Sequence, residues 1–106
     1  MRQTAWVAAA LAPLLLVAWP ALSADHRVVQ RERQFAPREL SVAVNDRVTF
    51  VNADEVVHNA FSERGVTFDI RQPPGTSHAV AFPVAGTVEV QCAIHPRMKL
   101  VIHVRP

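Results

Sequence analysis

From Leu40 to the end of the chain, side-chain character changes at almost every second residue, in short runs. Leu40, Val42 and Val44 alternate with Ser41 and Ala43, and Val48, Phe50 and Asn52 with Thr49 and Val51. His78, Val80 and Phe82 alternate with Ser77, Ala79 and Ala81. Val88, Val90 and Cys92 share one phase, with Thr87, Glu89 and Gln91 in the other, and Leu100, Ile102 and Val104 close the series. A period of two belongs to strands buried on one face. The breaks between runs are turn chemistry: Asn45-Asp46, Pro73-Pro74-Gly75 and Gly86. His26–Arg33 alternates more loosely and reads as a first strand near a sheet edge, ended by Pro37. Val66–Ile70 reads as one short strand, and another begins at His58. No segment carries the period of an amphipathic helix. The expectation is an all-β chain of seven or eight short strands, an antiparallel sandwich or barrel with Greek-key connections.

The first two dozen residues are of another kind. Met1-Arg2 carries the only positive charge, Thr4 to Leu22 carries none, and Ala21-Leu22-Ser23-Ala24 supplies small residues before Asp25. That layout predicts a signal peptide over residues 1–24, cleaved after Ser23 or Ala24, and export to the periplasm. The alternative is an uncleaved membrane anchor. The uncharged run of 19 residues approaches the ~20 that span a bilayer, but Pro13 and Pro20 interrupt it. Cleavage leaves a domain over residues 25–106, with no membrane segment of its own. A domain of about 82 residues has a thin core and tends to need a staple: disulfides, a metal or a partner.

Charge is uninformative about polyanions. From Asp25 onward ten Arg and Lys face nine Asp and Glu. There is no basic run and no interleaving of cations with aromatics, so the sequence gives no sign of nucleic-acid binding.

Cys92 is the only cysteine. An internal disulfide is therefore excluded, and a free thiol in an oxidising compartment needs protection. Burial alone would provide it, but the neighbours point to a metal. Cys92-Ala93-Ile94-His95-Pro96-Arg97-Met98 brings a thiolate, an imidazole and a thioether into one short loop, stiffened by Pro96. Two imidazoles, a thiolate and a weak thioether make a copper set that serves both oxidation states. Structural zinc favours a fourth strong ligand, which a methionine is not. The missing imidazole has several candidates. His26 lies at the start of the domain, where mobility is expected, and His103 is out of phase with the core of its strand. His78 shares a phase with Val80 and Phe82 and is the second choice. His58 follows a polar break and precedes Asn59, which can reach across to the Cys92 loop by a hydrogen bond and fix it. His58 is the first choice.

With these residues in view, the chain resembles the cupredoxins, and among them the plastocyanin and amicyanin group. Phe35-Ala36-Pro37-Arg38-Glu39-Leu40-Ser41-Val42 is similar to the family's opening strand. Asn45-Asp46-Arg47-Val48-Thr49-Phe50-Val51-Asn52 is similar to its Gly-Asp turn and following strand, and His58-Asn59-Ala60-Phe61-Ser62 to its first-histidine segment. Pro74-Gly75-Thr76-Ser77 resembles a later turn. Two residues between Cys92 and His95, then two between His95 and Met98, resemble the short ligand loop of amicyanin. Three positions depart from the pattern: Val90 where an aromatic is frequent, Asn45 where glycine is usual, and Ala85-Gly86 for Pro-Gly. The resemblance implies a cupredoxin-like Greek-key β-sandwich binding one copper ion through His58, Cys92, His95 and an axial Met98, with Asn59 supporting the loop.

It also implies a type 1 (blue) copper protein that carries single electrons and is not an enzyme. The implied partners are redox proteins such as a c-type cytochrome or a dehydrogenase, and the implied state is a monomer. In relatives the second histidine lies in an apolar patch where partners dock. Pro96 and Ala60 are the expected members here, with Arg97 and Lys99 as a basic rim suited to an acidic partner. The alternative function is a copper carrier or scavenger that delivers metal to another protein. A thiol enzyme built on Cys92 lacks support, because nothing in the sequence suggests a substrate cleft or an oxyanion site.

Overall fold

The computed structural model describes residues 3, 4, 13 and 22–106. The expected signal peptide lies mostly outside the described residues. Among the described residues nine strands follow in order: β1 (Asp25–Arg31), β2 (Gln34–Ala36), β3 (Glu39–Ala43), β4 (Arg47–Asn52), β5 (His58–Ser62), β6 (Phe68–Gln72), β7 (Ser77–Ala81), β8 (Gly86–Gln91) and β9 (Lys99–Arg105). No helix occurs among the described residues, and none is long and apolar enough to cross a membrane.

The strands form two sheets, ordered β2-β1-β4-β7 and β3-β9-β8-β5-β6. The chain passes repeatedly from one sheet to the other, and this is what makes two of the pairings parallel. β1 reaches its neighbour β4 only after β3 has been laid in the opposite sheet, and β3 likewise pairs in parallel with β9. A parallel pair requires such a crossover. The purely antiparallel expectation is corrected at these two places.

The ninth strand is β2. Gln34–Ala36 does not merely end the first strand: it folds back on it, with Arg31 opposite Gln34. The two-residue connection Glu32-Arg33 has both φ angles positive, 53° and 56°, the backbone of a tight hairpin turn whose twist matches its strands. β1 is consequently an interior strand flanked by β2 and β4, not an edge. His26, expected to be mobile, is held in β1, its Nε2 2.9 Å from Asp46 Oδ2.

Between the sheets the in-phase residues make one core. Val48 and Phe50 from β4, Val88 and Val90 from β8, and Leu100, Ile102 and Val104 from β9 are buried together with Val28, Phe35, Val42 and Phe82. Phe35, on the short β2, packs edge-on to Phe50 with ring centroids 6.4 Å apart. Asn45 has a φ of 73°. The left-handed region tolerates asparagine better than other residues with a Cβ, so this turn does not need the usual glycine.

A candidate copper centre

The Cys92 loop is the connection of a hairpin. Gln91 of β8 pairs with Lys99 of β9, so the intervening residues must turn within a very short span. The Cys92 N–H donates to the Met98 carbonyl at 3.4 Å, and the Met98 N–H donates to the His95 carbonyl at 2.9 Å. The first contact closes the loop's base and the second tightens its return. Cys92 and Met98 are fully buried, while His95 is half-buried at the end of the sandwich.

The second half of the site arrives on β5. Backbone pairing between β5 and β8 is limited to Phe61 opposite Gln91. Beyond it the strands separate, and His58, at the start of β5, lies fully buried against the loop. His58 Nδ1 is 3.1 Å from His95 Nδ1, and each of these nitrogens is 4.0 Å from Cys92 Sγ. Two nitrogens bound to one ion at ~2.0–2.1 Å can lie at most ~4.2 Å apart, and a nitrogen and a sulfur at most ~4.4 Å. All three separations fall inside those bounds, so the three donors lie close enough together to share one ion. Among the described residues these three form the only such group of His, Cys, Asp or Glu. No fourth hard ligand joins them, and the remaining soft donor is the thioether of Met98 on the same loop. That donor set suits copper.

Asn59 bridges the gap between the strands. Its backbone N–H points at Cys92 Sγ, 3.3 Å away. Its Oδ1 accepts from the Ala93 N–H at 2.6 Å, and its Nδ2 donates to Asp69 Oδ1 on β6 at 2.8 Å.

Asp54 was not singled out from the sequence. It belongs to the polar break before β5, and its Oδ2 lies 2.6 Å from His58 Nε2. Partial burial pushes its carboxyl up, but hydrogen bonds from His58 and from the Arg33 and Glu32 N–H groups outweigh that and hold it below the ordinary carboxylate value. The spacing Asp54 to His58 was visible, but nothing in a single sequence says which way a loop carboxylate turns. For His95 the direction is also downward, caused first by burial and then by the neighbouring His58 and Arg33.

The other histidines are elsewhere. His78 sits opposite Phe50, in phase with the inner face, yet it is exposed. β7 is the edge strand of the other sheet, and no further strand covers it. His103 faces out and pairs with Glu39 at 2.6 Å. Ala60 is fully buried and cannot belong to a docking patch. The surface beside His95 is instead a groove of about 610 Å³ lined by Phe35, Ile94, Pro96 and Met98, with Arg33, Arg38, Arg97 and Lys99 around it. Ile94 is 52% exposed there.

No protein-family model matches this sequence, and no curated protein does. Solved structures do. A copper-containing nitrite reductase from Thermus scotoductus SA-01 matches with a TM-score of 0.73 and 26% identity over 85% of this chain, which spans only 24% of the reductase. A reduced Cu(I) form of an amicyanin variant matches with a TM-score of 0.71 and 25% identity, covering 79% of this chain and 85% of the amicyanin. A purple cupredoxin from Nitrosopumilus maritimus shares the fold, with a TM-score of 0.67 and 22% identity, covering 76% of this chain and 99% of that one. Fold, ligand-loop spacing and donor geometry agree: the chain has a cupredoxin-like fold similar to that of amicyanin, and it gathers His58, Cys92 and His95, with Met98 on the same loop, into a group positioned to bind copper.

Proposed function

We propose that this chain is a small exported blue copper protein that passes single electrons between redox partners, with copper held by His58, Cys92, His95 and an axial Met98. The observation that carries the reading is the convergence of two Nδ1 atoms and one buried Sγ on a single point, within 4.8 Å of one another. Bound copper supplies a one-electron couple there. The protein's part is to keep the donors where they are in both oxidation states. Cys92 and His58 are fully buried, and each is held by a hydrogen-bond partner outside the loop. A site so fixed changes little when an electron arrives, which is what a carrier needs and what a metal-delivery protein must relax.

The half-buried His95 opens on the groove ringed by Arg33, Arg38, Arg97 and Lys99. Cations around an apolar floor favour a partner with an acidic face, such as a c-type cytochrome or a dehydrogenase, and opposite charges speed the encounter. The signal-like residues 1–24 support a periplasmic domain over residues 25–106. The nitrite reductase match covers too little of that enzyme to bring its activity here. The protein acts as a monomeric carrier and not as an enzyme.

Copper titration of the 25–106 domain, followed by visible absorption and paramagnetic resonance, tests the assignment. The expected result is one equivalent of copper, an intense thiolate-to-copper band and reversible reduction. Retention of that band in Cys92→Ser would sink it. Preferential binding of Cu(I) with ready release would favour copper delivery instead.

A further inference from the structure

We propose that Asp54 is a positioning residue for the metal centre: anchored by the β1–β2 turn, it holds His58 as the tautomer protonated on Nε2, presents Nδ1 to the metal, and sets a negative charge behind the ligand. This rests on the copper reading of the same site.

Asp54 is fixed from several directions. Its Oδ1 accepts from the Glu32 N–H at 2.7 Å, and its Oδ2 accepts from the Arg33 N–H at 3.0 Å. These are the two residues of the turn with successive positive φ angles. Adjacent N–H groups in such a turn form a concavity that binds anions. Its own N–H donates to Asn52 Oδ1 at 2.9 Å. Asn52 is fully buried, and its Nδ2 donates to the Val56 carbonyl at 2.8 Å. The loop from Asn52 to His58 is therefore held near both ends, and its carboxylate has a set direction.

The chemistry follows from the donor inventory. An ionised carboxylate only accepts hydrogen bonds, so His58 Nε2, 2.6 Å away, must carry the proton. A neutral imidazole then has its lone pair on Nδ1, the atom facing His95 and Cys92. In the metal-free protein the 3.1 Å contact between the two Nδ1 atoms requires His95 Nδ1 to donate. Asp54 thus chooses which nitrogen His58 offers. A carboxylate behind a metal-bound imidazole also makes it a stronger donor, and its charge favours the more positive oxidation state of the metal. The competing explanation is that Asp54 only clips the β1–β2 turn, in which case its charge is irrelevant to the site.

Asp54→Asn separates the two, because the amide keeps the shape and one acceptor oxygen but loses the charge. The midpoint potential of the copper-loaded protein should rise, shifting the Cu(II)/Cu(I) ratio at a fixed applied potential about tenfold, or about 59 mV for one electron, while the blue band persists. An unchanged potential in blue, copper-loaded Asp54→Asn overturns the proposal. A second measurement needs neither a variant nor copper. Imidazole nitrogen resonance of the metal-free wild-type protein at about pH 8, where an ordinary histidine is neutral, should show a protonated Nε2 and an unprotonated Nδ1 on His58. The reverse tautomer overturns the proposal even if Asp54→Asn fails to fold. Wild-type protein that binds no copper would defeat the function above, while the nitrogen spectrum would still report on Asp54.

Discussion

Asn59 and Ala93 continue the pairing of β5 and β8 past the point where backbone partners run out. Phe61 faces Gln91 in the last regular pair. Two residues on, the place of a ladder carbonyl is taken by Asn59 Oδ1, which accepts the Ala93 N–H at 2.6 Å. The Asn59 backbone N–H, which a straight ladder would spend on a carbonyl, is free to point at Cys92 Sγ. One side chain thus parts the strands enough to admit a metal and keeps the sulfur's hydrogen bond.

Replacing Asn59 with Ala should therefore loosen the loop as well as cost stability. The substitution removes two part-buried hydrogen bonds, to the Ala93 N–H and to Asp69 Oδ1, each contributing a net of about 0.5–1.5 kcal/mol. Urea denaturation of the metal-free protein should show a loss of that order, and chelator challenge of the loaded protein should show faster copper release. Asn59→Ala with wild-type stability and wild-type release would mean that the bridge holds nothing.

How much of this was legible beforehand depended on range. Strand phase is local, so β4, β8 and β9 could be read from alternation, as could the inward placement of Cys92 just after β8. The ligand loop was legible because its donors lie close in sequence. Partners separated by a fold were not. β2 was missed because three residues before a proline carry no period, although Phe35 buries fully there. The parallel pairs were missed because alternation does not encode a neighbour. His78 had the right phase but lies on an edge strand, which no phase reveals. Asp54 is aimed at His58 partly by the N–H groups of the turn at Glu32-Arg33, a long-range fact.

Acid should expose the role of Asp46. Its carboxyl is lowered from 3.8 to about 2 by the hydrogen bond from His26 and by the N–H groups of Ala43 and Ala24. A group depressed in the folded state stabilises it above the unfolded value and loses that contribution as pH falls through the folded value. The window is thus from about pH 4 down to about pH 2. Asp46→Asn should be less stable than wild type at neutral pH, and the gap between their denaturation midpoints should close across that window. A gap independent of pH would place the effect in turn geometry and not in charge.

The two candidate histidines separate cleanly by mutation. His58 is buried beside Cys92 Sγ, whereas His78 is exposed on β7. His58→Ala should abolish the blue band. His78→Ala should leave the band and the melting temperature unchanged, since exposed substitutions away from special features stay within about 0.5 kcal/mol. The opposite outcome would reassign the fourth corner of the site.

Copper should also stabilise the fold, because the ligands come from two separate parts of the chain. His58 opens β5, while Cys92, His95 and Met98 lie between β8 and β9. These strands share one regular pair at that end of the sheet, and Asn59 bridges them beyond it. An ion bound only by the folded state adds about 4 kcal/mol at a free concentration of a thousand times its dissociation constant. For a domain of this size a shift of 1 kcal/mol moves the melting point by roughly 4–8 °C, so the loaded protein should melt some tens of degrees higher. The gain should vanish with excess chelator, and in Cys92→Ser it should be much reduced. A metal-free protein melting with the loaded one would show that the sandwich needs no staple, and that the thin core suffices by itself.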